Sequence, residues 1–263
     1  MDYKKINKAS WNKRTAVHVN SDFYDVPAFL AGKSSLNSIE LHLLGDVRGK
    51  SILHLQCHFG QDSLSLARAG AKVTGVDLSD AAIAKAEELN EQMNLDASFV
   101  CCDLYDLPQH LEAKFDLVFT SYGTVGWLPD MDRWAGIVSR YLKPGGQFVM
   151  AEFHPAVWMY DDDFTHVKYS YFNTKPINET LEGTYTDSNE QFEAEYVTWN
   201  HDLSEVLTAL LNQGLKLEVF QEFNYSPYDC FAHTEQISPG RFQLKPFGDK
   251  FPLVYALKMS IPE

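Results

Sequence analysis

Side chains able to bind or transform a small molecule recur in this chain immediately after short apolar runs. The run 51–55 is followed by Gln56-Cys57-His58-Phe59-Gly60, 72–76 by Asp77, and 97–101 by Asp103. The run 115–120 leads into Ser121-Tyr122-Gly123, and 147–153 carries Glu152 at its end and leads to His154. In an open parallel sheet, ligands bind in the crevice beyond the carboxyl ends of the strands, so these groups would meet in one place if the runs are neighbouring strands. Asp77 is suited to accept from both hydroxyls of a ribose, and Asp103 to accept from an exocyclic amine. Gly60 would allow close backbone approach, with the free amides of the next helix facing a polar ligand.

His154 is a candidate general base, because it follows the fifth run and an imidazole titrates near neutral pH. Tyr122 is expected either to line the reacting channel or to pack. Trp127, Trp158 and Trp199 would form an apolar pocket or core. His54, inside a strand, reads as a satisfied core histidine. A metal site at His54, Cys57 and His58 lacks both a recognised ligand spacing and a second ligand cluster, so no metal is expected. Tyr171 and Lys175 have the spacing of a dehydrogenase pair, but the text around them reads as strand and turn, and no dinucleotide glycine loop accompanies them.

The elements that must position these groups alternate between β-branched runs and helical patterns over 50–152, the signature of βαβ units. Helices are expected at 61–68, stopped by Gly70, from Ser79 or Asp80 to about Met93, at 132–141, and at 202–213, stopped by Gly214. Lys143-Pro144-Gly145-Gly146 reads as a turn into the fifth strand. Two further strands are expected at 215–222 and 253–258. Between 154 and 199, aromatic and acidic residues alternate loosely, notably at 168–172 and 192–199, which predicts an antiparallel cap. The expected architecture is therefore α/β: a Rossmann-like, seven-stranded, mostly parallel sheet with helices on both faces and a cap inserted after the fifth strand. Four parts are expected within a single domain: a helical lid at 1–49, a core at 50–153, the cap at 154–200, and a closing segment at 201–263.

Composition narrows the partners. The chain has 263 residues with 45% hydrophobic side chains, an ordinary globular content. With 22 basic and 36 acidic residues its net charge is −14, which argues against unaided binding to nucleic acid or an anionic membrane. Residues 151–263 hold 7 basic and 18 acidic side chains and so carry −11 of that charge. The acidic run Asp161-Asp162-Asp163 reads as a solvated loop or as a means of drawing in a cationic substrate. No apolar run is long enough to span a bilayer, and the amino-terminal text lacks the apolar stretch of a signal peptide. Cys57, Cys101, Cys102 and Cys230 form no C-x-x-C pair and are expected to be free thiols, in keeping with a cytoplasmic protein. A small-molecule substrate is the expected partner, and the oligomeric state is left open.

Five stretches in order and spacing resemble the class I S-adenosylmethionine-dependent methyltransferases. They are Ile52-Leu53-His54-Leu55-Gln56-Cys57-His58-Phe59-Gly60, Val73-Thr74-Gly75-Val76-Asp77-Leu78-Ser79, Cys102-Asp103-Leu104, Phe115-Asp116-Leu117-Val118-Phe119, and Leu142-Lys143-Pro144-Gly145-Gly146. The resemblance implies S-adenosylmethionine as cofactor and methyl transfer to an O, N or C atom of a small molecule. It also implies that Asp77 holds the ribose hydroxyls, Leu78 packs on adenine, Asp103 accepts from the adenine amine beside Leu104, and Thr120 and Ser121 border the methionine part. The family's glycine-rich first loop is replaced here by His54, Gln56, Cys57 and His58, with only Gly60 retained. We therefore expect Gln56 to offer its amide oxygen to the methionine ammonium. Arg14, in the Trp11-Asn12-Lys13-Arg14 segment folding over the site, would take the carboxylate in a forked pair. The altered loop also motivates the alternative of a protein that binds the cofactor or its demethylated product without catalysis.

Overall fold

The computed structural model describes residues 2–172, 175–182, 184–186 and 193–263. Its centre is a seven-stranded sheet. Five strands are parallel: β1 (Ser51–Leu55), β2 (Lys72–Asp77), β3 (Ser98–Cys101), β4 (Phe115–Ser121) and β5 (Leu142–Phe153). The spatial order is β3, β2, β1, β4, β5, then the last strand of the chain (Val254–Ser260), then Lys216–Phe223 at the edge. The last strand runs antiparallel to both of its neighbours. Strand order thus reverses between β1 and β4, which opens the crevice at their carboxyl ends. Central strands read as continuous apolar text because both faces are covered. Ile52, Leu53 and Leu55 are fully buried, each contributing about 1.5–3 kcal/mol.

Seven α-helices occur among the described residues: α1 (Tyr3–His18), α2 (Val26–Leu30), α3 (Ser38–Leu44), α4 (Gln61–Arg68), α5 (Asp80–Gln92), α6 (Met131–Tyr141) and α7 (Leu203–Asn212). The Ser79 hydroxyl caps α5 by accepting from the Ala82 N–H at 3.0 Å, and Asp202 caps α7 through the Glu205 N–H at 2.9 Å. Trp134 of α6 packs edge to face on Phe148 of β5, and Tyr141 of α6 lies against Phe115 of β4, all buried in the larger core cluster.

Three features depart from the sequence reading. Residues 168–172, expected as a strand, are irregular. The cap hairpin is instead β6 (Ile177–Glu182) paired antiparallel with β7 (Glu193–Thr198), while Phe192, the expected start of its second strand, lies outside the described residues. The Lys143–Gly146 turn is absorbed into β5 as a bulge: Gly145 has φ +72°, and the β4 pairing jumps from Leu142 to Gln147. A small hairpin, β9 (Thr234–Ser238) with β10 (Arg241–Leu244), was not foreseen, because its text is polar and mostly exposed and carries no apolar period. The edge strand of the main sheet is β8 (Lys216–Phe223), and the last strand is β11.

The helix α1 fastens the cap to the core. The Asn7 side chain exchanges two hydrogen bonds with the Val197 backbone of β7, both at 2.8 Å. Five residues further on, Asn12 donates to Asp80 at 2.9 Å and accepts from the Ser79 hydroxyl at 2.7 Å. Near its start, Lys4 reaches Asp103 at 2.9 Å.

Candidate functional site

A cavity of about 840 Å³ lies beyond the carboxyl ends of the parallel strands, roofed by α1 and the cap. Its floor is the loop after β1. Gln56 (φ +53°) and His58 (φ +51°) both hold left-handed backbone conformations without being glycine, a cost of about 1–3 kcal/mol each that persists only where the surroundings over-determine it. Those surroundings are visible. The His58 N–H donates to Asp77 Oδ2 at 2.8 Å, the Cys57 N–H to the Val76 carbonyl at 2.9 Å, and Gln56 Nε2 to the Thr124 carbonyl at 2.8 Å. Gly75 makes room for the loop, since a Cβ there would lie 2.8 Å from Cys57 Sγ. Gly60 lines the cavity, yet its glycine is demanded elsewhere. At φ +81° it starts α4, and a Cβ would stand 2.8 Å from Ala86 Cβ, so helix packing requires it.

Asp77 and Asp103 both line the cavity, with Leu78 and Leu104 beside them. Asp77 accepts from the His58 and Ser79 amides, one at each carboxylate oxygen and both at 2.8 Å. Burial pushes its carboxyl up, and these amide bonds work against that rise. The Leu78 amide adds a third such bond, which leaves the carboxylate with acceptor capacity still free. Asp103 accepts from the Tyr105 N–H at 3.0 Å and pairs with Lys4.

Across from these acids, α1 places Trp11 and Arg14 in the cavity wall. The Arg14 guanidinium is buried and lies 5.2–5.3 Å from the ring centres of Trp11, Trp127 and Tyr196. Its one hydrogen bond among the described residues is a 3.3 Å contact to Ser10, and no carboxylate among them pairs with it. Burial pulls its pKa down. Gln56 Oε1 is likewise buried and has no partner among the described residues. The His18 and His58 rings meet Nδ1 to Nε2 at 3.2 Å, leaving His18 Nε2 and His58 Nδ1 without a partner among the described residues. Burial holds both neutral, with pKa values pulled to about 2 and about 3; for His18 the neighbouring His58 and Arg14 add to the shift, for His58 Arg14 does.

The opposite end is built from α3, α4 and the strand ends. Tyr122 donates to the buried Glu40 at 2.8 Å, and Asn37, which caps α3, donates to the Tyr228 hydroxyl at 2.7 Å. Ser121 donates to Asp62 at 3.0 Å. Burial, then the charge on Asp62, raises the Glu40 carboxyl. Glu152 gathers the amides of Gly123, Thr124 and Val125 onto one carboxylate and so shapes the turn that presents Tyr122 and Trp127.

The structure thus brings Trp11, Arg14, Gln56, Cys57, His58, Gly60, Asp77, Leu78, Asp103, Leu104, Ser121 and Tyr122 to one cavity. Two residues do not join them. Thr120 is fully buried and points its hydroxyl at the Leu55 carbonyl, 3.4 Å away, because alternate residues of a strand face opposite sides. His154 is buried beside the edge strands. Its Nδ1 accepts from the Ala156 N–H at 3.1 Å, so its proton sits on Nε2, 3.0 Å from Glu222. Both ring nitrogens are used, and the ring does not line the cavity. His54 also lines the cavity, bonded to the Ser63 hydroxyl at 2.7 Å, with burial lowering its pKa to about 4. Sequence reasoning missed Asp62, His18, Tyr24 and Tyr228. Only Asp62 carried a signal, lying two residues after the loop glycine in the first turn of α4. No group of three His, Cys, Asp or Glu side chains able to hold a metal occurs among the described residues. Nor is any helix among them long and apolar enough to cross a membrane.

Known proteins match this geometry. A family model described as a methyltransferase domain matches residues 52–146. An uncharacterised methyltransferase of Synechocystis sp. is 33% identical over 133 residues, covering 50% of this chain and 60% of the relative. A ubiquinone biosynthesis O-methyltransferase of Coxiella burnetii is 33% identical over 118 residues, covering 41% of this chain and 50% of the relative. The chain therefore spans between half and three-fifths of the length of these relatives. A crystal structure of an S-adenosylmethionine dependent methyltransferase from Mesorhizobium loti superposes with a TM-score of 0.57 at 20% identity, covering 88% of this chain and 99% of that one. That likeness is one of fold. The strand order, the acids at the ends of β2 and β3, and these matches converge on one statement: residues 52–146 are a methyltransferase domain.

Proposed function

We propose that this chain transfers the methyl group of S-adenosylmethionine to an oxygen, nitrogen or carbon atom of a small molecule in the cytoplasm, its four parts working as one unit. The observation that carries this reading is a cavity where, among the described residues, a buried guanidinium has no acid partner and a buried amide oxygen no donor, opposite two strand-end carboxylates. Unpaired buried polar groups are costly, and a ligand with a carboxylate, an ammonium and a ribose would satisfy all of them. Arg14 would take the methionine carboxylate, Gln56 Oε1 the ammonium, Asp77 the ribose hydroxyls and Asp103 the adenine amine, with Leu78 against the ring.

When bound, the cofactor supplies a methyl group already activated by its sulfonium. The protein's tasks are alignment and exclusion of water. The stiff left-handed loop at Gln56–Gly60 fixes the floor, and the aromatic walls of α1 and the cap close the roof. His154, tied to Glu222, takes no part in the transfer.

The left-handed Gln56 and His58, with side chains where a glycine loop has none, favour a second reading: binding of the cofactor or its demethylated product without turnover. Turnover separates the two. The protein is incubated with methyl-labelled S-adenosylmethionine and a small-molecule extract, and transfer of label beyond a boiled control is expected. Tight binding of both nucleosides with no transfer to any extract would establish the second reading instead.

A further inference from the structure

Most acids lining the cavity are spoken for. Asp77, Asp103 and Glu152 accept from backbone amides, Asp25 pairs with Lys33 at 3.3 Å, and Glu179 pairs with Lys168 at 2.7 Å. Asp161 accepts from Thr165, and Asp162 is exposed in the cap loop; Asp62, at the strand ends, has among the described residues one hydrogen bond, from the Ser121 hydroxyl, and no cation within salt-bridge distance. Arg14 and Lys33 are the cavity's Lys or Arg side chains among those residues, and Arg14 sits in its own aromatic box, while Lys33 is engaged by Asp25. Around Asp62 the charge field is negative: Glu40 lies behind Tyr122, and the Asp62 charge is felt at Tyr24, Tyr122 and Tyr228. Tyr122 and Tyr228 meet edge to face at 5.1 Å, and Phe23 lies against Tyr228 at 5.5 Å, so this end offers aromatic surface beside a carboxylate.

We infer that the Asp62 end of the cavity is the substrate subsite and that it selects an amine on an apolar small molecule, held as its ammonium between the Asp62 carboxylate and the tyrosine rings. This deepens the methyl-transfer reading and rests on it. An ammonium gains twice here, from a charge-assisted hydrogen bond and from the faces of electron-rich rings. A carboxylate or phosphate would meet Asp62 and Glu40 with no cation to offset them. A neutral alcohol of the same shape would forgo the charge-assisted bond.

The test uses three matched probes, 2-phenylethylamine, 2-phenylethanol and 3-phenylpropionate, titrated by calorimetry into the full chain saturated with S-adenosylhomocysteine. Asp62→Asn keeps the shape and the Ser121 contact while removing the charge. The expected result is amine binding about tenfold tighter than the alcohol, no measurable carboxylate binding, and collapse of the amine preference in D62N with S-adenosylhomocysteine affinity unchanged. Equal affinity for amine and alcohol, no binding of the amine at millimolar concentration, or a preference that survives in D62N would overturn the inference. So would a loss of S-adenosylhomocysteine affinity in D62N, because that would place Asp62 on the cofactor. Failure of the wild type to bind S-adenosylhomocysteine at all would instead defeat the methyl-transfer reading, so the two failures are distinguishable.

Discussion

Arg14 is a residue whose two possible roles predict opposite signs. The residue is 5% exposed, and its guanidinium lies against three aromatic rings and has no acid partner among the described residues. A buried charge without a counterion costs the protein several kcal/mol, against which cation–π contacts return about 0.5–2 kcal/mol each. Arg14→Met, which keeps the aliphatic stem, should therefore leave the ligand-free protein within about 1 kcal/mol of wild type, or make it more stable. In the complex the same change removes a forked pair with a carboxylate. Taking hydrogen bonds to charged groups at about 1.5–3 kcal/mol each, and allowing for non-additivity, the loss is about 2–4 kcal/mol, or roughly 30- to 700-fold in Kd. Urea unfolding measures the first quantity and calorimetry with S-adenosylhomocysteine the second, with adenosine, which has no carboxylate, as the control that should bind both proteins alike. If R14M unfolds more easily and binds S-adenosylhomocysteine as wild type does, Arg14 is a packing residue and the assignment is refuted.

Two further outcomes follow from the buried histidines. His18, His54 and His58 are held neutral in the folded protein at pKa values of about 2, 4 and 3, against 6.5 in the unfolded chain. The unfolded state therefore binds more protons below pH 6.5, so stability is fully present above that value and lost as pH falls toward the folded values. Chemical denaturation between about pH 7.5 and about pH 5.5 should show a loss approaching 4 kcal/mol, at about 1.4 kcal/mol per histidine, and His18→Gln should flatten that slope by about a third. Replacing His154 with Gln should lower stability by about 1–3 kcal/mol through its lost bonds to Glu222 and Ala156, while S-adenosylhomocysteine affinity and methyl transfer stay unchanged.

Legibility in the sequence tracked how local the cause was. Helix α4 was readable to the residue, because a left-handed glycine starts it and Gly70 follows its end, and the acids after β2 and β3 were readable because strand ends fix position. The expectation that Arg14 and Gln56 share one cavity came only through the resemblance to a known family, and the lack of an acid partner for Arg14 among the described residues was visible only in three dimensions. His154 was misread because its position after β5 says nothing of Glu222, 68 residues away, which captures the ring. Thr120 failed for the opposite reason: strand alternation was available and would have turned it from the cavity. The tyrosines around Asp62 come from separate elements, so no local period marks them.

The most direct test of the account is calorimetric titration of the purified chain with S-adenosylmethionine and S-adenosylhomocysteine, wild type beside Asp77→Ala. Asp77 would accept from two ribose hydroxyls, and it ties down the strained loop through the His58 N–H. The account predicts micromolar binding by wild type and a loss of about 2–4 kcal/mol in D77A, weakening the affinity roughly 30- to 700-fold. Absence of binding by wild type, or equal binding by both proteins, would contradict it.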